Sequence, residues 1–103
     1  MASMQYDVFA TQPLTSTGDF LNQNGLAVPR ARIKSIYTVN DTAEGSVVIR
    51  DGSATGPVLI TVNTPAKATA GFTVILLPGE GILASTGLHG TVTDVASITL
   101  IYG

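Results

Sequence analysis

The sequence contains no cysteine, no tryptophan, a single histidine and few charges. Each shortage removes a class of function. Without cysteine there are no disulfides and no thiolate metal sites. Charged residues fill 12% of the 103 positions, about half of the roughly 25% found in average globular domains. Net charge is -2, from five Lys or Arg and seven Asp or Glu. A nucleic-acid module needs a basic face, so nucleic acid is not an expected partner. No apolar run approaches the ~20 residues that span a bilayer, so no membrane partner is expected. The opening residues Met1-Ala2-Ser3-Met4-Gln5-Tyr6-Asp7 lack a basic stretch followed by an apolar one. That is not the pattern of a signal peptide.

What is present is apolar and small. Hydrophobic residues make up 45% of the chain, and the length suits one domain. A short chain has much surface for its volume. With so few charges, that surface must consist of Thr, Ser, Asn, Gly and exposed apolar groups. Exposed apolar surface on a small domain often marks contact with another chain. An oligomer or an assembled particle is therefore expected rather than a free monomer.

The chain divides near residue 31. Beyond it, short apolar runs alternate with Gly, Pro, Asn and Asp, the rhythm of a sandwich or barrel. Seven runs are expected, at residues 32–40, 46–50, 58–63, 72–77, 82–84, 88–93 and 97–102. Strict alternation groups Ile33, Tyr37 and Val39 on one face, then Val47 and Ile49. It likewise groups Val58, Ile60 and Val62, then Ile98, Leu100 and Tyr102. Asp51-Gly52 supplies a hairpin corner, Pro65 closes the run before it, and Pro78-Gly79 closes another. Helical spacing of apolar residues is nowhere sustained without Gly or Pro. The expected fold is all-β, a single antiparallel β-sandwich of jelly-roll-like kind, with about seven or eight short strands.

Residues 1–30 are harder to place. Residues 5–11 alternate like a strand, with Tyr6, Val8 and Ala10 on one side. Residues 13–29 hold only isolated Leu14, Phe20, Leu21, Leu26 and Val28 among polar residues. Two readings stand side by side. One is an arm or long loop that packs on its own domain or on a neighbour. The other is an extra strand and meandering loop of the same sandwich. On the arm reading, Leu14, Phe20, Leu21 and Leu26 anchor a neighbouring subunit, residues 31–103 form the sandwich core, and removing residues 1–30 leaves that core folded.

No reacting constellation emerges. His89 could be joined on paper with Ser85 or Ser97 and Asp94, but no Gly-x-Ser-x-Gly elbow exposes a nucleophile. Gly79-Glu80-Gly81-Ile82-Leu83-Ala84 fits a dinucleotide pattern in letters only. A β-run follows it rather than a helix, and Glu80 would repel phosphate. Asp51-Gly52 lacks the spaced carboxylates of a calcium loop. Asn40-Asp41-Thr42 is a formal glycosylation sequon without a secretory signal. Arg30, Arg32 and Lys34 are the clustered cations. At period two they share a face, either to meet an acidic partner or to guard an edge against strand pairing. No catalytic residue, metal ligand or cofactor is expected.

The wording of the runs carries a resemblance. Ile33-Lys34-Ser35-Ile36-Tyr37 comes first, then Gly45-Ser46-Val47-Val48-Ile49-Arg50-Asp51-Gly52-Ser53. Gly56-Pro57-Val58-Leu59-Ile60-Thr61-Val62-Asn63-Thr64-Pro65-Ala66 follows. Leu77-Pro78-Gly79-Glu80-Gly81-Ile82-Leu83 and the closing Ser97-Ile98-Thr99-Leu100-Ile101-Tyr102-Gly103 complete the set. Over residues 31–103 this resembles small β-sandwich structural proteins of tailed-bacteriophage virions. The resemblance implies a non-enzymatic virion protein, a capsid decoration or cement subunit, assembled in the host cytoplasm. It implies a homo-oligomer, a trimer being common among such proteins, bound to the major capsid protein or other virion proteins. The alternative is a tail or fibre component that binds a receptor or glycan. Leu14, Phe20, Leu21, Leu26, Arg30, Arg32 and Lys34 are the expected interface residues.

Overall fold

A computed structural model describes residues 9–66 and 71–103. None of these residues is α-helical. The strands are β1 (Phe9–Ala10), β2 (Gly18–Asp19), β3 (Ala31–Asn40), β4 (Gly45–Asp51), β5 (Val58–Thr64), β6 (Phe72–Leu76), β7 (Ile82–Ala84), β8 (Leu88–Thr93) and β9 (Val95–Tyr102). They form two antiparallel sheets. The first runs β1-β9-β3-β6, with β7 also on β3, and the second runs β2-β8-β4-β5. All seven expected runs after residue 31 are strands. Tyr6 and Val8, expected in the first strand, lie outside the described residues.

The pairing is nested. The hairpin β4–β5 is innermost, β3 pairs with β6 and β7 outside it, β2 with β8, and β1 with β9. Strands β6 and β7 lie along successive parts of β3, Ser35–Val39 and Ala31–Ile33. The segment Leu77–Gly81 interrupts them. Gly81 has φ +78°, and a Cβ there would strike the Ile33 carbonyl oxygen. Only glycine fits so close an approach with that backbone. The Gly-x-Gly letters therefore serve a turn, as expected.

The core lies between the sheets. Val47 and Ile49 from β4 and Ile98 and Leu100 from β9 are buried, as alternation predicts. Each such side chain contributes about 1.5–3 kcal/mol through burial. In β3 the expected phase fails. Ile33, Ile36, Thr38 and Asn40 are buried, whereas Tyr37 is exposed and Val39 partly so. The register against β9 shifts between Ile33 and Ser35. One extra residue in a ladder turns every later side chain to the opposite face. A second shift, between Val39 and Asn40, re-phases β9 so that Val95 joins Ile98 inside. A third, between Ile49 and Arg50, turns Val58 outward, so it does not share a face with Val62.

Residues 9–30 belong to the same body as the later strands. Phe20 is 0% exposed and Val28 is buried beside it in the core. Leu14 bridges to Ile98, exchanging two backbone hydrogen bonds of 2.8 and 2.9 Å. Thr11 is held to Leu100 through its backbone N–H and its side-chain Oγ1. Gly90 makes the room: a Cβ there would lie 2.8 Å from the Phe20 ring. For the described residues 9–30 this agrees with the second of the two readings. Removing residues 1–30 would open the core rather than leave it intact.

Candidate functional site

Three features stand out on this frame, two polar and one apolar. The first polar feature is a clasp at Asp51. Its carboxylate accepts backbone N–H bonds from Ser85 (3.0 Å), Thr86 (2.8 Å) and Gly87 (3.2 Å). These bonds favour the charged form and hold the Asp51 carboxyl below its ordinary range. The Thr86 N–H is the largest cause. Desolvation opposes it, and the Ser85 and Gly87 N–H groups add to the lowering. Gly52, at φ +86°, completes the expected hairpin corner. Nothing in the letters Asp-Gly signals the further bond to residues 85–87, because the partners are backbone groups 34–36 positions away.

The second is a row across three strands of the second sheet. Asp19 faces His89, and His89 faces Arg50. His89 Nδ1 lies 2.9 Å from Asp19 Oδ1. The His89 side chain is buried, and its Nε2 has no hydrogen-bond partner among the described residues. Arg50 instead donates to the Gly56 carbonyl at 3.0 Å. The row ties β2 to β8 and orients one hairpin. The serines imagined with His89 are elsewhere: Ser85 follows β7, and Ser97 lies in the other sheet. Asp94 forms the tight turn between β8 and β9, at φ +53°. The structure does not bring Ser85 or Ser97, His89 and Asp94 together. Among the described residues no group of three His, Asp or Glu side chains is placed to hold a metal ion.

The apolar feature is the outer face of the first sheet along β3 and β6. Phe72, Val74 and Leu76 project from β6 and are 65%, 49% and 78% exposed. Opposite them on β3 stand Val39, Tyr37 and Ser35. The Tyr37 and Phe72 rings pack with centroids 5.9 Å apart. Alternation along β6 creates this face, since Thr73 and Ile75 turn inward. The bulge in β3 then adds Tyr37 to it. Unbroken alternation would have hidden Tyr37, so sequence reasoning missed this surface.

The expected interface residues scatter. Phe20 is sealed inside its own domain and Leu14 packs against the core. Leu21 and Leu26 are exposed, on the loop closed by the Leu21–Ala27 bridge. Arg30 precedes β3, Arg32 lies in it opposite Leu83, and Lys34 stands at the bulge. The period-two alignment of the three cations is thereby broken. Asn40 of the formal sequon is buried, and its Oδ1 accepts bonds from the Thr38 and Thr73 hydroxyls.

A cleft of about 430 Å³ opens beside Arg30, lined among others by Phe9, Asn22, Gln23, Asn24 and Tyr102. Phe9 and Tyr102 stand with ring centroids 5.7 Å apart. Compared with known proteins, the chain matches no family model, no curated protein and no solved structure.

Proposed function

We propose that the protein is a non-enzymatic structural subunit of a tailed-bacteriophage virion, a capsid decoration or cement protein that binds the capsid surface as a homo-oligomer. The observation that carries this reading is the exposed apolar face of Phe72, Val74, Leu76 and Tyr37. A domain with so little charge gains more from covering such a face than from leaving it in water. Each Å² covered contributes about 25 cal/mol before ordering costs.

The topology supports the reading. In a jelly roll, a long antiparallel hairpin folds over so that its two arms alternate between two sheets. The nested pairs β1–β9, β2–β8, β3–β6 and β4–β5, shared between sheets β1-β9-β3-β6 and β2-β8-β4-β5, are what such a folded hairpin gives. We read the fold as a jelly roll on that ground. Capsid proteins are among the common users of this architecture. The resemblance of residues 31–103 to phage virion proteins points the same way.

The cleft between Phe9, Arg30 and Tyr102 favours a second reading, a receptor- or glycan-binding module of a tail or fibre. Amide side chains from Asn22, Gln23 and Asn24 and two aromatic rings line it, and sugars are bound by such mixtures of hydroxyl partners and apolar ring faces. Quantitative mass spectrometry of virions from the encoding phage separates the two. Copies in the hundreds support capsid decoration. A handful moves the protein to the tail or a fibre, and absence from the particle overturns both.

A further inference from the structure

We infer that two copies of this chain join edge to edge through β6, so that their first sheets form one continuous sheet across a two-fold axis. The inference rests on reading the protein as a self-associating structural subunit, and names the surface that does it.

Strand β6 ends the order β1-β9-β3-β6, and among the described residues nothing pairs with its outer side. The direction of its backbone groups follows from its flanks. Asn40 N–H donates to the Gly71 carbonyl, and Leu77 N–H donates to the Lys34 carbonyl. Gly71 and Leu77 therefore bond toward β3. In an antiparallel ladder the bonding side alternates. Thr73 and Ile75 bond toward β3 as well, while Phe72, Val74 and Leu76 turn their N–H and C=O groups to the open edge. These are the same three residues whose side chains stand exposed. Both their backbone groups and their side chains are offered to a partner.

The edge carries none of the usual guards. From Gly71 to Gly79 there is no charged residue, and no proline interrupts the strand before Pro78. Its register against β3 is unbroken from Phe72 to Leu76. Lysines, prolines and bulges are what natural edges use to prevent pairing. The other sheet ends are protected by proline and polar residues at β5 and, among the described residues, comprise two residues each at β1 and β2.

A second copy is the occupant that fits. In a two-fold antiparallel pair centred on Val74, Val74 meets its own counterpart, and Phe72 meets Leu76 of the other copy. On the outer face apolar residues meet apolar residues at each of the three positions, and no like charges are opposed. The four exposed side chains, Tyr37 included, leave on the order of 500 Å² of apolar surface per copy. Edge pairing satisfies the outward backbone groups and sets the two apolar rows side by side in cross-strand contact, leaving the broad outer face open to a further partner.

The test is sedimentation velocity on the full chain over a wide concentration range, with backbone amide hydrogen exchange by NMR. The wild type is expected at twice the 10.6 kDa chain mass. Val74→Lys sets two lysines face to face across the axis and should weaken the dimer at least about a hundredfold. Leu76→Lys, further from the axis, should weaken it less. Thr61→Lys on β5 should leave it unchanged. The amides of Phe72, Val74 and Leu76 should be protected in the wild type and exchange fast in the Val74→Lys variant. A wild type that stays monomeric, a dimer unaffected by both lysine variants, a trimer, or fast exchange of these amides in the wild-type oligomer would overturn the pairing. A dimer formed by a protein absent from virions would leave the pairing standing and remove the virion role.

Discussion

Strands β5 and β6 each close one side of a sheet. Strand β5 is entered just after Pro57 and left at Pro65, carries a register shift near its start, and turns Thr61 and Asn63 to solvent. Strand β6 has no proline within it, no shift, and turns out Phe72, Val74 and Leu76. Inward, β5 buries Val62 and β6 half-buries Thr73 and Ile75, while the outer row of β6 takes no part in the core. The stability of the sandwich therefore does not require the apolar outer face of β6. A residue whose exposure folding does not need is free to serve association, and on the proposed pairing this contrast separates the part of the chain that folds from the part that assembles.

The contrast presumes that both edges belong to one cooperative body. Phe20→Ala tests that first, with the largest expected effect. Emptying the space under Gly90 should cost about 3–5 kcal/mol, seen in urea unfolding as one transition at lower denaturant. Two separate transitions would mean that the sheets fold independently, and the edges could then not be compared. The next test transfers character from one edge to the other. Thr61→Val with Asn63→Val gives β5 an apolar outer row like that of β6. Folding stability should change by less than about 1 kcal/mol, while light scattering should report species larger than those of the wild type. Unchanged size would show that the flanking prolines alone guard β5.

Acid should act on the β5 side of the molecule. Asp51 anchors the β4–β5 hairpin to residues 85–87, and its folded-state carboxyl titrates below its unfolded value. The contribution is therefore fully present above the unfolded pKa of about 3.9 and disappears as pH falls through the lower folded value. Thermal melts should show the wild type losing stability as pH falls below about 4. Asp51→Asn should start lower at neutral pH and lose less on acidification. An equal acid loss in the variant would place the titrating group elsewhere. The smallest effect belongs to Asp19→Ala. Asp19 is more than half exposed, so its bond to His89 should be worth under about 1 kcal/mol. A larger loss in urea unfolding would mean that this polar row, and not Phe20, holds β2 in place.

Much of the fold was legible because the signals were local. Val47 and Ile49, Asp51-Gly52, Pro65 and Pro78-Gly79 each act within a few residues, and strands with their ends follow from them. Three things were not local. The shift at Lys34 reverses the faces of half of β3, and alternation counted along one chain cannot see a ladder slipping against its partner. Phe20 lies among polar neighbours, and its burial is decided by Gly90, seventy positions later. A run such as Phe72–Leu76, apolar but for Thr73, reads equally as a central or an edge strand. Only the order of strands makes it an edge, and the candidate surface depends on that order.

The nested pairing also sets a timetable. The β4–β5 hairpin closes a short turn, an event of about 1–10 μs. Strand β1 must wait for a partner at the far end of the chain, since Phe9 pairs with Tyr102. Pairs that close long loops form late. On the ribosome β1 emerges well before its partner and is thus among the last strands to be docked, and synthesis through Tyr102 must be complete before this pair can close. Strand β6 is laid on β3 well before that moment. A nascent chain then shows its most adhesive edge while its own body is still unfinished, and crowding on polysomes would be where mispairing begins.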